Sequence, residues 1–247
     1  MISVIVITRN ESKRIARCLS SVKWADEIIV LDSGSTDNTV EIAKRFTPHV
    51  HVNTDWRGYG IQKQRALAYA KGDWVLHIDA DEWVTEGLKK VLLEVVKRNA
   101  CDACRVPIRF CFYGKTLKHT QSPTRHARFF KHKGAQFSDD IVHEKILLPS
   151  DAKIIQLKTA LLHDSYLDVT HAIAKMNRYS SSSAKLRLKS KKPVSFLRCF
   201  FSAGWMFSRC YILQMGFLDG KAGLLVAVLN AEGSFYRGIK QIYQDAK

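Results

Sequence analysis

Continuous apolar runs alternate with helical repeats along the first hundred residues. Residues 2–8 and 27–31 are rich in β-branched side chains, and between them apolar residues recur at helical spacing over about residues 11–23. Apolar runs without polar alternation are typical of strands that are buried on both faces of a parallel sheet. The order strand, helix, strand therefore predicts a βαβ unit with a right-handed crossover.

The same pattern continues to about residue 100. A short strand over 50–53 precedes a helix over about 61–70, and a strand over 74–78 precedes a helix over about 85–98. Thr85 is a suitable residue to cap the start of that helix, which is expected to end near Asn99. From about residue 171 onward the pattern is helical. The chain is therefore predicted to be an α/β protein with a mostly parallel central sheet and a C-terminal helical region.

Carboxylates follow two of the predicted strands. Alternation along a strand directs Asp79 and Asp81 to the same face, and two such oxygens suit Mg²⁺ or Mn²⁺ together with substrate phosphates. Asp32 follows the strand 27–31, where it is placed to hydrogen-bond a nucleoside. Lys63 lies in the predicted first turn of the helix 61–70, where it can meet a diphosphate. Taken singly, these residues also fit solvated turns and a surface lysine.

Three segments in this order resemble a known family. They read I-S-V-I-V-I-T-R-N-E, L-D-S-G-S-T-D-N-T and H-I-D-A-D-E, and further similarity continues through G-Y-G-I-Q-K-Q-R-A-L, V-H-E, K-M-N-R-Y and G-F-L-D-G. The set resembles family 2 glycosyltransferases with the GT-A (Rossmann-like) fold, most closely the bacterial lipopolysaccharide core β-1,4-glucosyltransferases. The resemblance covers nearly the whole chain.

The resemblance implies roles for particular residues. Thr8 and Glu11 would border the nucleotide pocket, and Asp32 would contact the nucleoside. Asp81 would be the main metal ligand, with Asp79 directed towards the sugar or ribose.

Ser33 departs from the family pattern. Many relatives carry a second acid at this position, which forms part of the region that recognises the nucleoside. The departure leaves recognition of the base, and hence UDP as the carrier, open.

An inverting transferase also needs a general base near the acceptor hydroxyl. Glu144, in the V-H-E run, is the preferred candidate by resemblance, and Asp140 is the second. Either acid can instead belong to a solvated loop or pair with Arg125 and Arg128. His163 follows an apolar strand and is a possible third metal ligand, although a histidine in that place is more often structural, and His143 is either buried or an acceptor contact.

Composition adds a preference for phosphate-rich partners. Lys and Arg number 39 against 23 Asp and Glu, a formal net charge of +16, which suits nucleic acid, an anionic membrane or a phosphorylated glycolipid. The absence of a recognisable nucleic-acid module disfavours the first. Cys101-x-x-Cys104 is half of a zinc pattern without a matching second half, so buried thiols are expected. The cysteines follow no disulfide framework and the N-terminus does not resemble a secretory signal, which together favour a reducing cytoplasmic compartment.

The C-terminal third interleaves basic and aromatic residues. Arg198 and Arg209 interrupt its apolar clusters before any run is long enough for a spanning helix. Such helices suit an interfacial membrane contact, or else a helical cap whose aromatic residues form a core. We expect a catalytic domain over 1–170, with donor and acceptor halves at 1–100 and 101–170, and a membrane-proximal helical region over 171–247.

These expectations combine into one hypothesis. The chain is expected to transfer a hexose, glucose from UDP-glucose, with Mg²⁺ or Mn²⁺, to an inner-core heptose of lipid A-core at the cytoplasmic face of the bacterial inner membrane. The alternatives are another donor such as ADP-heptose, a capsule or O-antigen acceptor, or a basic nucleotide-binding scaffold without turnover. A nucleic-acid partner is not expected, and the sequence does not determine the oligomeric state.

Overall fold

The computed structural model describes residues 1–112, 114–120, 124–140, 144–188 and 194–243. The chain divides into two compact units. The first comprises Met1–Ile108 and Thr124–His163, and the second comprises Arg109–Pro123 and Asp164–Lys247. The functional division at residue 170 that the sequence predicts stays a prediction.

Strands and helices alternate in the first half of the chain. The strands are β1 (Ile2–Thr8), β2 (Glu27–Asp32), β3 (Val50–Val52), β4 (Trp74–Asp79), β5 (Glu82–Trp83), β6 (Ala103–Phe112), β7 (Lys115–Thr116), β8 (Thr124–Lys131), β9 (Gln136–Phe137), β10 (Ile146–Leu147), β11 (Ile154–Gln156) and β12 (Leu161–Tyr166). The helices are α1 (Ile15–Ser20), α2 (Thr39–Lys44), α3 (Tyr59–Leu67), α4 (Glu86–Arg98), α5 (Val169–Leu188), α6 (Phe196–Ser208) and α7 (Gly220–Ile242).

Ten of the twelve described strands form a mixed sheet in the order β3-β2-β1-β4-β8-β6-β12-β5, which β7 and β11 join by pairing with β6, and β9 and β10 pair antiparallel in a separate two-stranded sheet. Strands β3, β2, β1 and β4 are mutually parallel, and β8 pairs antiparallel with both β4 and β6. The predicted α/β fold with a C-terminal helical region is confirmed. The parallel pairings are those among its first four strands and the pairing of β11 with β6.

Strand β1 is buried on both faces, as its unbroken apolar run predicts. Val4 and Val6 lie in one core cluster with residues of α1, α2 and α4, whereas Ile5 and Ile7 lie in a second cluster with residues of α3. Burying a side chain of this size stabilises the fold by about 1.5–3 kcal/mol. Helices therefore cover both faces of the sheet and hold the strand ends in register.

The register of the strands brings polar residues to one edge of the sheet. Thr8 at the end of β1 pairs with Asp32 at the end of β2, and Ile7 pairs with Asp79 at the end of β4. Strand β5 begins directly after Asp81, and its antiparallel pairing with β12 sets His163 opposite Glu82. These pairings position the candidate site.

Helix limits agree with the sequence at one helix and differ at two. Thr85 caps α4 by accepting a hydrogen bond from the amide of Leu88, and Asn99 ends the helix in a left-handed conformation, as predicted. Helix α1 covers only Ile15–Ser20 of the predicted 11–23. Helix α3 begins at Tyr59, two residues early, because Gly58 adopts a φ of 115° before it. Lys63 is therefore the fifth residue of α3, and its predicted place in the first turn is wrong.

The second unit contains the C-terminal helices. After α6, a π-helical turn covers Arg209–Leu213 and a 3₁₀ turn covers Gly216–Asp219. No single described helix is both long and apolar enough to span a bilayer, but the segments Phe196–Leu213 and Gly216–Ile242 reach that length and hydropathy as a pair bent by 70°.

Candidate active site

Thr8 is the last residue of β1, and its hydroxyl group is available to a ligand. Its side chain is buried, and its Oγ1 has no hydrogen-bond partner within the part of the chain that the structure describes. A buried hydroxyl without a partner is costly, so this position is suited to meet a ligand atom. Its place at the edge agrees with the expectation that it borders the nucleotide pocket.

Asp32 uses its carboxylate to build the turn after β2. Oδ1 accepts from the amides of Gly34 at 2.9 Å and Ser35 at 2.7 Å, and Oδ2 accepts from the hydroxyl of Ser35. The residue is only 1% exposed. Its expected contact with a nucleoside would therefore compete with these three hydrogen bonds, and the role stays a prediction.

Ser33 is held by a residue for which the sequence offered no role. Its Oγ accepts from Nε2 of Gln62 at 3.0 Å, and its amide donates to the carbonyl of Thr8. Gln62 is fully buried in α3 and also donates to the carbonyl of Asn53. Gln62 therefore fixes the hydroxyl of Ser33 in the turn after β2.

Glu11 forms a partly buried pair with Arg14 just before α1. Nε and Nη2 of Arg14 donate to the two carboxylate oxygens at 2.7 Å each. Burial raises the pKa of Glu11 although Arg14 acts in the opposite direction. Nη1 of Arg14 also lies 3.6 Å from Oδ2 of Asp81, so the loop after β1 reaches the acidic turn after β4.

Asp81 and His163 are brought together. Nε2 of His163 lies 3.0 Å from Oδ2 of Asp81, and the two side chains are 18% and 17% exposed. Burial opposes ionisation of Asp81, but the hydrogen bond and charge of His163 outweigh it, so the pKa of Asp81 lies below its ordinary value. The two residues are 82 positions apart in sequence and meet because β12 pairs with β5.

This pair fits a divalent cation that also binds substrate. Carboxylate oxygen suits both Mg²⁺ and Mn²⁺, whereas imidazole nitrogen suits a transition metal such as Mn²⁺ better than it suits Mg²⁺. Among the described residues no three His, Cys, Asp or Glu side chains form a complete metal cage. A site with two protein ligands leaves the remaining positions to phosphate oxygens and water, which is typical of cations bound with nucleotides.

Asp79 is engaged differently, because its two oxygens face two cations. Oδ1 lies 3.1 Å from Nζ of Lys63, and Oδ2 accepts from Nη2 of Arg128 at 3.0 Å. Burial would raise the pKa of Asp79, but Lys63 and Arg128 hold it well below its ordinary value. The expected second metal ligand is therefore already neutralised by protein side chains, and its role at the metal stays a prediction.

Arg128 contacts both Asp79 and Glu82, the third acid of the D-A-D-E motif. The same Nη2 donates to Oε1 of Glu82 at 2.9 Å, and Nη1 lies 2.8 Å from Nε2 of His77. Burial raises the pKa of Glu82 to about 7 although Arg128 acts in the opposite direction. Burial, together with Lys63 and Arg128, lowers the pKa of His77 well below its ordinary value. Arg128 is 6% exposed, so it is not a surface residue, and its ion pairs are with Asp79 and Glu82.

Glu144 meets the same cluster from the loop after β9. Nζ of Lys63 donates to its Oε1 at 2.5 Å, and its side chain is 15% exposed. Asp140 is exposed, and its Oδ2 accepts from the hydroxyl of Ser138. The other residue expected near the acceptor, His143, lies outside the described residues.

The structure thus adds Arg14, Gln62, His77 and Glu82 to the residues named from sequence, and it gives Arg128 a new role as the partner of Asp79 and Glu82. The sequence does point to Glu82, since it is the third acid of the D-A-D-E motif. Arg128 lies in a strand rich in basic residues, and nothing in its spacing distinguishes it from the exposed Arg125. The roles of Glu82 and Arg128 depend on strand pairing, which local sequence does not reveal.

Comparisons with known proteins agree with this architecture. The sequence profile described as Glycosyl transferase family 2 matches residues 3–147. An uncharacterized glycosyltransferase of Rickettsia prowazekii is 32% identical over 96% of this chain and 85% of its own length. The lipopolysaccharide core biosynthesis glycosyltransferase LpsC of Rhizobium meliloti is 29% identical over 98% of this chain and 92% of its own.

Among solved structures, TarS 1–349 of S. aureus in complex with UDP-GlcNAc is similar in fold. It matches with a TM-score of 0.51 at 16% identity, over 100% of this chain and 92% of that one. This likeness concerns the fold alone.

Proposed function

We propose a specific reaction for this chain, which belongs to glycosyl transferase family 2 and is a glycosyltransferase. It transfers a hexose, glucose from UDP-glucose, with inversion to an inner-core heptose of lipid A-core. Similarity to LpsC, a protein named for lipopolysaccharide core biosynthesis, over nearly the full length of both chains supports the acceptor class. The observation that carries the reaction is the Asp81–His163 pair in a unit that also holds the carboxylate of Glu144 on a buried lysine.

The donor is proposed to lie along the edge formed by β1, β2 and β4. Thr8, with its uncommitted hydroxyl, and Glu11, through Arg14, border this region. A bound Mg²⁺ or Mn²⁺ held by Asp81 and His163 would supply Lewis-acid stabilisation of the diphosphate. The ionised carboxylate of Asp81 suits that task, since its pKa lies below its ordinary value.

Glu144 is the proposed general base. As the acceptor hydroxyl oxygen bonds to the anomeric carbon, Glu144 takes the hydroxyl proton, and the bond from that carbon to the diphosphate breaks with its electron pair leaving on the diphosphate. A single displacement of this kind inverts the anomeric configuration. Asp140 is the second candidate, but its exposed carboxylate is less constrained than that of Glu144.

A donor and acceptor panel tests the reaction. The purified chain is incubated with Mn²⁺ and UDP-glucose, UDP-galactose or ADP-heptose, and with lipid A-core truncated at successive inner-core sugars. We expect product with UDP-glucose, a mass increase of one hexose, and loss of product when EDTA removes the cation. Product only with ADP-heptose, or only with a capsule or O-antigen intermediate, would contradict the proposed donor or acceptor.

The second unit carries the surface that we propose contacts the membrane. Leu197, Phe201 and Trp205 follow each other at intervals of four residues on one face of α6 and are 65%, 71% and 62% exposed. Arg198 and Arg209 are the only charged residues in Phe196–Leu213. An apolar face flanked by cations suits the interface of an anionic bilayer, here the cytoplasmic face of the bacterial inner membrane.

Vesicle binding tests this surface with a matched pair of variants. Leu197→Glu is expected to weaken binding to vesicles of phosphatidylglycerol and phosphatidylethanolamine about tenfold, because burial of a leucine side chain contributes about 1.5–3 kcal/mol. Leu93→Glu makes the same change at an exposed leucine of α4, which is 42% exposed, and should bind as the wild type does. Equal binding by both variants, or a dimer in solution that binds no vesicles, would contradict the proposal.

A further inference from the structure

Lys63 occupies an unusual position for a residue expected to bind a diphosphate. Its side chain is 4% exposed, and its Nζ lies between Oε1 of Glu144 at 2.5 Å and Oδ1 of Asp79 at 3.1 Å. A buried ammonium group is tolerated only when carboxylates or other acceptors surround it. Both of these carboxylates belong to the candidate site.

The lysine is one member of a chain of alternating charges. Glu144 contacts Lys63, Lys63 contacts Asp79, Asp79 contacts Arg128, and Arg128 contacts Glu82. Removing one partner from such a buried arrangement leaves an uncompensated charge, which is strongly destabilising. Movement of Lys63 to a diphosphate would therefore strip a cation from Glu144 and from Asp79 at once.

Three residues of helix α3 contact the segment from β9 to Glu144, and Lys63 lies between the other two in the helix. The amide of Gly60 donates to the carbonyl of Asp140 at 3.2 Å, and the side chain of Gln64 accepts from the amide of Phe137 at 2.8 Å. Both contacts hold the backbone of the segment that precedes the candidate base. The contact of Lys63 with Glu144 fixes the side chain itself.

We infer that Lys63 is a positioning residue that holds the carboxylate of Glu144 in place for the acceptor, and that it is not a ligand of the donor diphosphate. The inference rests on the proposed function of Glu144. It assigns Lys63 to the acceptor step, whereas its position beside a helix start had suggested the donor.

A double-mutant cycle with two readouts tests the assignment. The variants are Lys63→Gln, Glu144→Gln and the combination, each measured for kcat, for KM of UDP-glucose and for binding of UDP with Mn²⁺. Lys63→Gln is expected to lower kcat at least about tenfold while the Kd for UDP stays within about twofold. The combined variant is expected to be no slower than Glu144→Gln alone, because Lys63 acts through that residue.

Two results would overturn the inference. A weaker Kd for UDP in Lys63→Gln with unchanged kcat would return the lysine to the diphosphate, and losses of kcat that multiply in the combined variant would show that it acts independently of Glu144. Where Lys63→Gln alone fails to fold, the combined variant decides the question, because it removes both partners of the pair and leaves Asp79 with Arg128. Its Kd for UDP should equal that of Glu144→Gln.

Failure of the proposed reaction is distinguishable from failure of this inference. A wild-type chain that binds UDP but transfers no sugar would contradict the reaction. The Kd for UDP of the combined variant would still test the role of Lys63 in that case. A weaker affinity than that of Glu144→Gln contradicts the inference, and an equal affinity supports it.

Discussion

Asp79, the last residue of β4, and Asp81, two positions later, have different surroundings. Asp81 meets a histidine, whereas both oxygens of Asp79 face cations. The sequence predicts the pair, because the alternation of a strand places both residues on one face. The resemblance also implies different roles for the two acids, but the sequence does not reveal that Lys63 and Arg128 neutralise Asp79, since these cations lie in other elements of the chain.

Replacing Asp81 tests its role at the cation. Asp81→Ala is expected to abolish detectable transfer and the Mn²⁺-dependent part of UDP binding, because it removes one of two protein ligands. Asp151→Ala makes the same change at an exposed turn and should transfer as the wild type does. Full activity of Asp81→Ala would exclude it as the metal ligand.

Replacing the two candidate bases separates them. Glu144→Gln is expected to lower kcat by about 10²–10⁴, the usual contribution of a general base, with unchanged UDP affinity. Asp140→Asn, at an exposed carboxylate, should keep most of its turnover. The reverse ranking of these two kcat values would move the base to Asp140.

At the scale of elements, helix α3 packs closely against residues 138–140, which precede Glu144 in the chain. The backbone of the loop approaches Gly60 so closely that an added Cβ would lie 1.8 Å from the carbonyl oxygen of Ser138 and 3.1 Å from that of Asp140. Only glycine allows this approach. The sequence shows a glycine near a helix start, but the reason for it lies in a loop almost eighty residues later.

Gly60→Ala is expected to displace the loop that carries Glu144. Overpacking of this kind costs about 1–3 kcal/mol of stability, and the shifted carboxylate should lower kcat more than the KM for the donor changes. Gly87→Ala is the matched control, because its Cβ would meet nothing closer than 3.7 Å in the first turn of α4. That control should be neutral or more stable by up to about 1 kcal/mol. Unfolding by urea and steady-state kinetics measure both effects, and a Gly60→Ala variant with wild-type kcat would contradict the account.

In the second unit, Asp219 fastens the segment after β7 to the start of α7. Its carboxylate accepts from the amides of Lys118, His119 and Thr120 and from the hydroxyl of Thr120, at 2.8–3.0 Å. Burial opposes ionisation, but these hydrogen bonds prevail, so the pKa of Asp219 in the folded chain lies below 3.8. The bonds therefore stabilise the fold above about pH 4 and are lost as the pH falls through the lower folded-state pKa.

Asp219→Asn is expected to lower the free energy of unfolding by about 3 kcal/mol at neutral pH, because an amide nitrogen cannot accept from these donors. The difference from the wild type should stay constant from about pH 7 to about pH 4 and then shrink from about pH 4 to about pH 2, since the carboxylate takes up a proton in the unfolded chain before it does so in the folded one. Urea unfolding at several pH values measures it. A difference that is constant across this range would show that the charge is not responsible.

At the scale of the whole molecule, periodicity predicted the α/β fold and the C-terminal helices, and the motifs predicted the family. Buried apolar runs and the acids that end them are local signals, which explains these successes. The alternating chain from Glu144 to Glu82, the Gln62–Ser33 contact and the pairing of β12 with β5 join elements that lie far apart in the sequence. No window of sequence contains both partners of these contacts, so only the structure reveals them.

The central claim is that Asp81 and His163 hold a divalent cation that binds the donor diphosphate. The most direct measurement is an anomalous difference map from crystals of this chain grown with UDP and Mn²⁺. The account predicts one manganese peak bonded to Oδ2 or Oδ1 of Asp81, to Nε2 of His163 and to oxygens of the diphosphate. A manganese peak remote from both side chains, with UDP bound, would contradict it.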